Sequence, residues 1–177
     1  CSSALKDLLM APSTQLFENE YTRVAKRSID ANDTLTAALA NVTLTTTFPT
    51  SNDLASQLKL VARMIAARDT LGAKRQVFMV SLGGFDTHNA LTATHPGLMT
   101  KLGDALAAFQ QATAELGVSN AVTTFTGSDF GRTLLSNNEG SDHGWGGVQF
   151  VLGGAVQGKA FVGTAPALGN NGADDVG

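Results

Sequence analysis

Apolar positions recur at helical spacing in the first part of the chain and gather into short runs in the second. From Ser13 to about Val42, Leu16, Tyr21, Val24, Ile29, Leu35 and Leu39 return at roughly helical intervals. A second helix is predicted over 51–72, with Ser51 or Asn52 as its cap, Leu54, Leu58, Val61 and Ile65 as its stripe, and Gly72 as its stop. The Thr-rich join "TLTTTFPTS" contains a proline and reads as a loop. After Gly72 the rhythm changes. "QVFMVSL" (76–82) is a continuous apolar run, predicting a strand buried on both faces. A third helix is expected from Pro96 to Leu116, with Leu98, Leu102, Leu106, Phe109 and Leu116 on one side and Gly117 as C-cap. "AVTTFT" (121–126) reads as a strand, 127–147 as a polar loop, "VQFVLGG" as another buried run and "KAFVGT" as a fourth strand. Strands alternating with helices predict an α/β sheet with helices over its faces.

Composition narrows the picture. Of 177 residues, 43% are apolar and 15% charged, which fits a globular domain and argues against disorder. The net charge is −3 and no basic run exceeds two residues, so nucleic acid is not an expected partner. No stretch approaches the ~18 apolar residues of a membrane span. One cysteine, Cys1, permits neither an internal disulfide nor a thiolate metal site, and leaves the compartment open. The expected organisation is a single partial domain over 1–177, with a helical lead-in (1–72) and an α/β core (73–177).

The candidate chemistry lies in two glycine-rich loops. "SLGGFDTHNALTATH" holds Asp86, His88 and His95, and "GSDHGWGG" holds Asp142 and His143. If strands 76–82 and 121–126 are parallel neighbours, the loops leaving their carboxyl ends open at one edge of the sheet, where α/β proteins bind ligands. Asp86 and His88, one residue apart, point the same way from an extended backbone. Carboxylates with imidazoles suit Zn²⁺, Mn²⁺ or iron, so Asp86, His88, Asp142 and His143 are candidate metal ligands, holding one ion or sharing a pair. The competing reading is turn and capping chemistry at each Asp/His pair. His95, before a proline, reads as a surface residue at a helix start. In "SDFGRT", Asp129 and Arg132 are candidate substrate-binding residues. Arg132 is placed either to hold an oxyanion or to pair with Asp129 or Asp142 and brace the loop. Trp145 is expected to pack. Ser81, Ser128 and Ser141 lack a nucleophile-elbow setting, and the glycine pairs lack a phosphate-loop or dinucleotide fingerprint, so no nucleotide cofactor is expected.

"GGFDTH" after an apolar strand, followed in order by "TFTGSDFGRT", "NNEGSDHGWGG" and "FVLGGAVQGKAFVG", resembles the core of the bacterial domain-of-unknown-function 1501 family over about residues 76–170. That family is placed in the alkaline phosphatase and sulfatase superfamily. The resemblance implies an alkaline-phosphatase-like layered sheet with helices on both faces and a metal site at the strand ends. Active members of the superfamily use two divalent metals to process phosphoric or sulfuric esters, so the implied cofactor is Zn or Mn and the implied substrate a small anionic ester. Asp142 and His143 match the superfamily's adjacent ligand pair. Asp86 and His88 match its other pair, though more closely spaced. The resemblance also implies export to the periplasm or beyond. The superfamily's nucleophile, carried after an early strand, and its late metal-binding histidine have no counterpart here. Cys1 precedes a helical stretch and follows no strand, so it is not read as that nucleophile. Another chain or segment is therefore expected to complete the sheet. A non-catalytic binding or scaffold protein that keeps the fold is the alternative.

Overall fold

The computed structural model describes residues 3–144, 146–165, 167, 169, 172 and 174; Cys1 and Trp145 lie outside the described residues. The chain is mixed α/β and divides into two compact units. One comprises 1–43 with 63–76, and the other 44–62 with 77–177.

In the first unit, a short helix α1 (Ser3–Leu9), which the apolar pattern did not indicate, precedes α2 (Leu16–Leu39). An ion pair of 2.8 Å joins Lys6 to Asp33. The predicted stripe of α2 is buried only at its end, at Leu39, while Leu16, Tyr21 and Val24 are exposed. Arg63 donates to the Leu39 carbonyl at 2.8 Å, satisfying one of the carbonyls a helix end leaves open.

Helix α3 (Asp53–Ala66) begins in the second unit and ends in the first. Its cap is Asn52, whose side-chain oxygen accepts from the Ala55 amide at 3.2 Å while its amide donates to the Lys101 carbonyl at 2.7 Å. The helix stops at Ala66, ahead of the expected Gly72, and turns carry the chain to that glycine at φ +65°. Among the described residues, the buried apolar side chains of the second unit are Phe48, Leu54, Ala55, Leu58, Val61 and Ala62, with Ala105, Ala108, Phe109 and Ala112 from α4 (Leu91–Glu115). Helix α4 starts five residues before Pro96, so His95 lies within it, its ring edge-on to Phe85 at 5.9 Å. The helix ends as expected: Gly117 adopts φ +67° and donates to Ala114, and Val118 donates to Thr113, closing the last turn.

Glu115, at the end of α4, receives the Thr46 hydroxyl at 2.6 Å and the amides of Thr45 and Thr46 at 2.7 and 2.8 Å. The Thr46 hydroxyl first, then the two amides, pull its carboxyl down from 4.5 to about 2. A lowered acid stabilises the fold where it is ionised in both states. Its contribution is full above about pH 4.5 and disappears as the pH falls through about 2. Protection of the Thr45 and Thr46 amides against hydrogen exchange, relative to the unstructured rate at each pH, is expected to fall across that window, and Glu115→Gln to remove that fall.

The sheet differs from expectation. Residues 76–82 form no strand and pair with none among the described residues. Exposure alternates along them, and Val77 and Met79 are 99% and 96% exposed, so the run is not buried on both faces. Ser81 alone is held, its amide by Gln57 Oε1 at 3.1 Å and its carbonyl by Gln57 Nε2 at 2.9 Å. The expected strand 121–126 contracts to β1 (Thr124–Phe125), which pairs antiparallel with β4 (Val151–Leu152) rather than parallel with 76–82. "KAFVGT" forms no strand, and Phe161 and Val162 are exposed. These apolar runs hold strand-forming residues, but among the described residues no neighbouring strand lies beside them for their backbone to pair with. The loop predicted over 127–147 instead contains a hairpin, β2 (Gly131–Ser136) against β3 (Ser141–Gly144), which sets Arg132 opposite His143.

Candidate metal centre

The site forms where the β2–β3 hairpin seats on the segment 85–88. The hairpin turn, "NNEG" (137–140), carries Asn138 at φ +85°, and its Glu139 carbonyl accepts from the Leu91 amide at 3.0 Å. Gly140 lies so close to the segment that a Cβ there would stand 2.2 Å from the Thr87 carbonyl oxygen. Only glycine fits. Both Asp/His pairs thus meet, though through a docked hairpin and not through parallel strands.

Asp86 is the hub. Its Oδ1 lies 2.9 Å from His143 Nε2, 3.1 Å from His88 Nε2 and 2.9 Å from Arg132 Nη2. Ligand atoms of Asp86, His88 and His143 all fall within 4.8 Å of one another. Around a tetrahedral zinc, with bonds of ~2.0–2.1 Å, neighbouring ligand atoms stand about 3.3 Å apart. The contacts of 2.9 and 3.1 Å from Asp86 to His143 and His88 lie close to that spacing, and the carboxylate–imidazole donor set suits a divalent cation. The three side chains are about half exposed, at 58%, 47% and 49% for Asp86, His88 and His143. Small ions and ligands reach them directly. The hydrogen bond from His143, then the charge of His88 and the Arg132 guanidinium, hold the Asp86 carboxyl below the ordinary carboxylate range. Asp86 is therefore an anion at neutral pH.

The histidine rings are packed as well as bonded. His143 stacks on Phe130 with centroids 3.9 Å apart, and on His88 at 5.0 Å.

The other expected residues occupy different places. Asp142 Oδ1 lies 3.1 Å from His88 Nδ1, on the ring nitrogen that does not face Asp86. Hydrogen bonds from His88 and then Asn137 lower its carboxyl, so it is ionised and only accepts. Arg132, the least exposed at 20%, donates to the carbonyls of Ser141 and Phe85 and to Asp86. It pairs with Asp86, and neither Asp129 nor Asp142 is its partner. The guanidinium thereby ties strand β3 to the segment carrying Asp86. Asp129 is exposed and makes no hydrogen bond or ion pair among the described residues. His95 stays outside the cluster, against Phe85.

Asn137 was missed by sequence reasoning. It donates to the His88 carbonyl and to Asp142 Oδ1, both at 3.1 Å, and accepts from the Gly140 amide at 2.8 Å. The available signal was the turn itself, since Asn and Gly three residues apart between two short runs mark a hairpin loop.

Fold and site together define a mixed α/β protein with a candidate Asp/His metal centre. A family model described as "Protein of unknown function (DUF1501)" matches residues 11–176, and the chain belongs to that family. No curated protein and no solved structure matches it.

Proposed function

We propose that the protein binds a divalent metal ion, zinc or manganese, through Asp86, His88 and His143, and serves as a metal-dependent hydrolase of phosphoric or sulfuric esters. The convergence of three ligand atoms within 4.8 Å carries the reading. The ester chemistry and the alkaline-phosphatase-like architecture rest on the resemblance of the motifs around them. A bound ion would supply Lewis-acid stabilisation of charge developing on an ester oxygen. The chain's own residues prepare the place for it. Asp86 offers an ionised oxygen, Phe130 stacks on the His143 ring, and Arg132 fixes the backbone on both sides of the cluster. The site is half-exposed, so a small anionic ester would reach it from solvent.

A second reading, a non-catalytic exported binding or scaffold protein, is favoured by one observation. Arg132, the cation best placed to hold a substrate oxyanion, already spends its guanidinium on two carbonyls and Asp86. In both readings, another chain or segment lays a strand beside the unpaired backbone of 77–82, and export to the periplasm or beyond follows from the resemblance. Among the described residues no helix is long and apolar enough to cross a membrane.

Elemental analysis of the purified chain is expected to find about one equivalent of zinc or manganese, retained on desalting. A chain that stays metal-free after soaking in either ion overturns the metal centre. Assays of the metal-loaded protein on phosphate and sulfate monoesters then separate the readings: turnover supports the hydrolase, and metal without turnover supports the binding protein.

A further inference from the structure

We propose that Asn137 is a positioning residue which, through Asp142, fixes the tautomer and direction of the His88 imidazole so that its Nε2 faces Asp86 and His143. The metal-affinity part of this inference rests on the metal-centre reading above; the tautomer part does not.

An imidazole offers a ligand atom only through a nitrogen that carries no proton, and the proton's place is set by the partner of the other nitrogen. His88 Nδ1 is hydrogen-bonded to Asp142 Oδ1 at 3.1 Å, whereas Nε2, also 3.1 Å from a carboxylate oxygen of Asp86, makes no hydrogen bond to it, so the proton belongs on Nδ1 and the Nε2 lone pair is left for the cluster. Asp142 is 64% exposed and would turn freely without a second tether. Asn137 is that tether. One amide group bridges the His88 carbonyl and Asp142 Oδ1, both at 3.1 Å, so the backbone of His88 and the partner of its ring are gauged from one atom. Asn137 is in turn fixed within the hairpin turn, its Oδ1 accepting from the Gly140 amide at 2.8 Å and its backbone N–H donating to the Gly140 carbonyl at 3.1 Å. The hairpin tip thus sets the ring it docks against.

Long-range proton–nitrogen NMR on the metal-free chain reads the tautomer directly. The measurement is made at about pH 9, above the ordinary imidazole pKa of about 6.5, with the resonance assigned by His88→Gln. The parent is expected to hold the Nδ1–H form, against the Nε2–H form that free imidazole side chains favour. Asp142→Asn keeps an acceptor oxygen and is expected to keep Nδ1–H. Asp142→Ala and Asn137→Ala are expected to revert to Nε2–H. A parent already in the Nε2–H form, or an Asn137→Ala variant that keeps Nδ1–H, overturns the proposal. With cobalt(II) as probe, Asn137→Ala is expected to weaken binding about 10–100-fold, the usual effect of losing an outer partner. Asp142→Asn is expected to stay within a few-fold of the parent. If Asp142→Asn loses as much as Asp142→Ala, Asp142 is itself a ligand and its positioning role is refuted. Failure of the parent to take up cobalt refutes the metal centre alone, because the tautomer result is read without metal.

Discussion

Asp86→Ala is expected to weaken divalent-metal binding by at least about 100-fold, more than the 10–100-fold typical of an outer-shell loss. The change removes the one oxygen toward which His88, His143 and Arg132 all point, at 3.1, 2.9 and 2.9 Å. Two imidazoles would remain as ligands. The Arg132 guanidinium, relieved of its counter-charge, would stand beside them and repel a cation. Asp86→Asn keeps the shape and a neutral oxygen, so its loss should be intermediate. Cobalt titration followed by absorbance ranks the three proteins. Binding by Asp86→Ala within roughly threefold of the parent would remove Asp86 from the ligand set. Because the hydrogen bond from His143, together with the Arg132 guanidinium, holds this carboxyl below its ordinary range, it remains ionised in mildly acid solution.

Gly140→Ala is expected to destabilise the fold by about 2–3 kcal/mol, in the range of an overpacked site together with lost hydrogen bonds. The added methyl would stand 2.2 Å from the Thr87 carbonyl oxygen and 2.6 Å from the His88 carbonyl carbon. Both are backbone atoms that cannot swing away. The hairpin tip must then back off, and the links between Asn137, Gly140 and His88 stretch together. Thermal unfolding should show the loss, and cobalt affinity should fall with it. Gly97→Ala is the matched control, since a Cβ at that position in α4 meets nothing within 4 Å. If the two variants melt alike, the close seating of the hairpin is not what holds the site.

The helices were legible because an apolar stripe is a local property: α3, α4 and the Gly117 stop follow from spacing alone. Pro96 misplaced the start of α4. The Leu91 amide is satisfied by Glu139 from the hairpin, a partner 48 positions away that no local pattern contains. The strands were less legible, since an apolar run shows a wish for burial but not which neighbour supplies it; Val77 and Met79 carry the pattern and remain exposed. The meeting of Asp86 and His88 with His143 was foreseen from two loops leaving strand ends, yet it is brought about by a polar hairpin lacking the apolar alternation that betrays a strand. Asp142 and Arg132 were picked out by residue type, and residue type alone does not say whether a side chain binds an ion or orients a group that does.

The segment 77–82 has a consequence for how the molecule behaves in concentrated solution. "VFMVSL" carries no charge, no proline and no glycine, and the amides and carbonyls on either side of Ser81 have no strand partner among the described residues. Such a sequence with its backbone unpaired is the template on which identical chains stack edge to edge. Nothing charged interrupts it before Asp86, four residues further on. A strand laid along that edge would therefore guard the protein against self-assembly as well as pair its backbone.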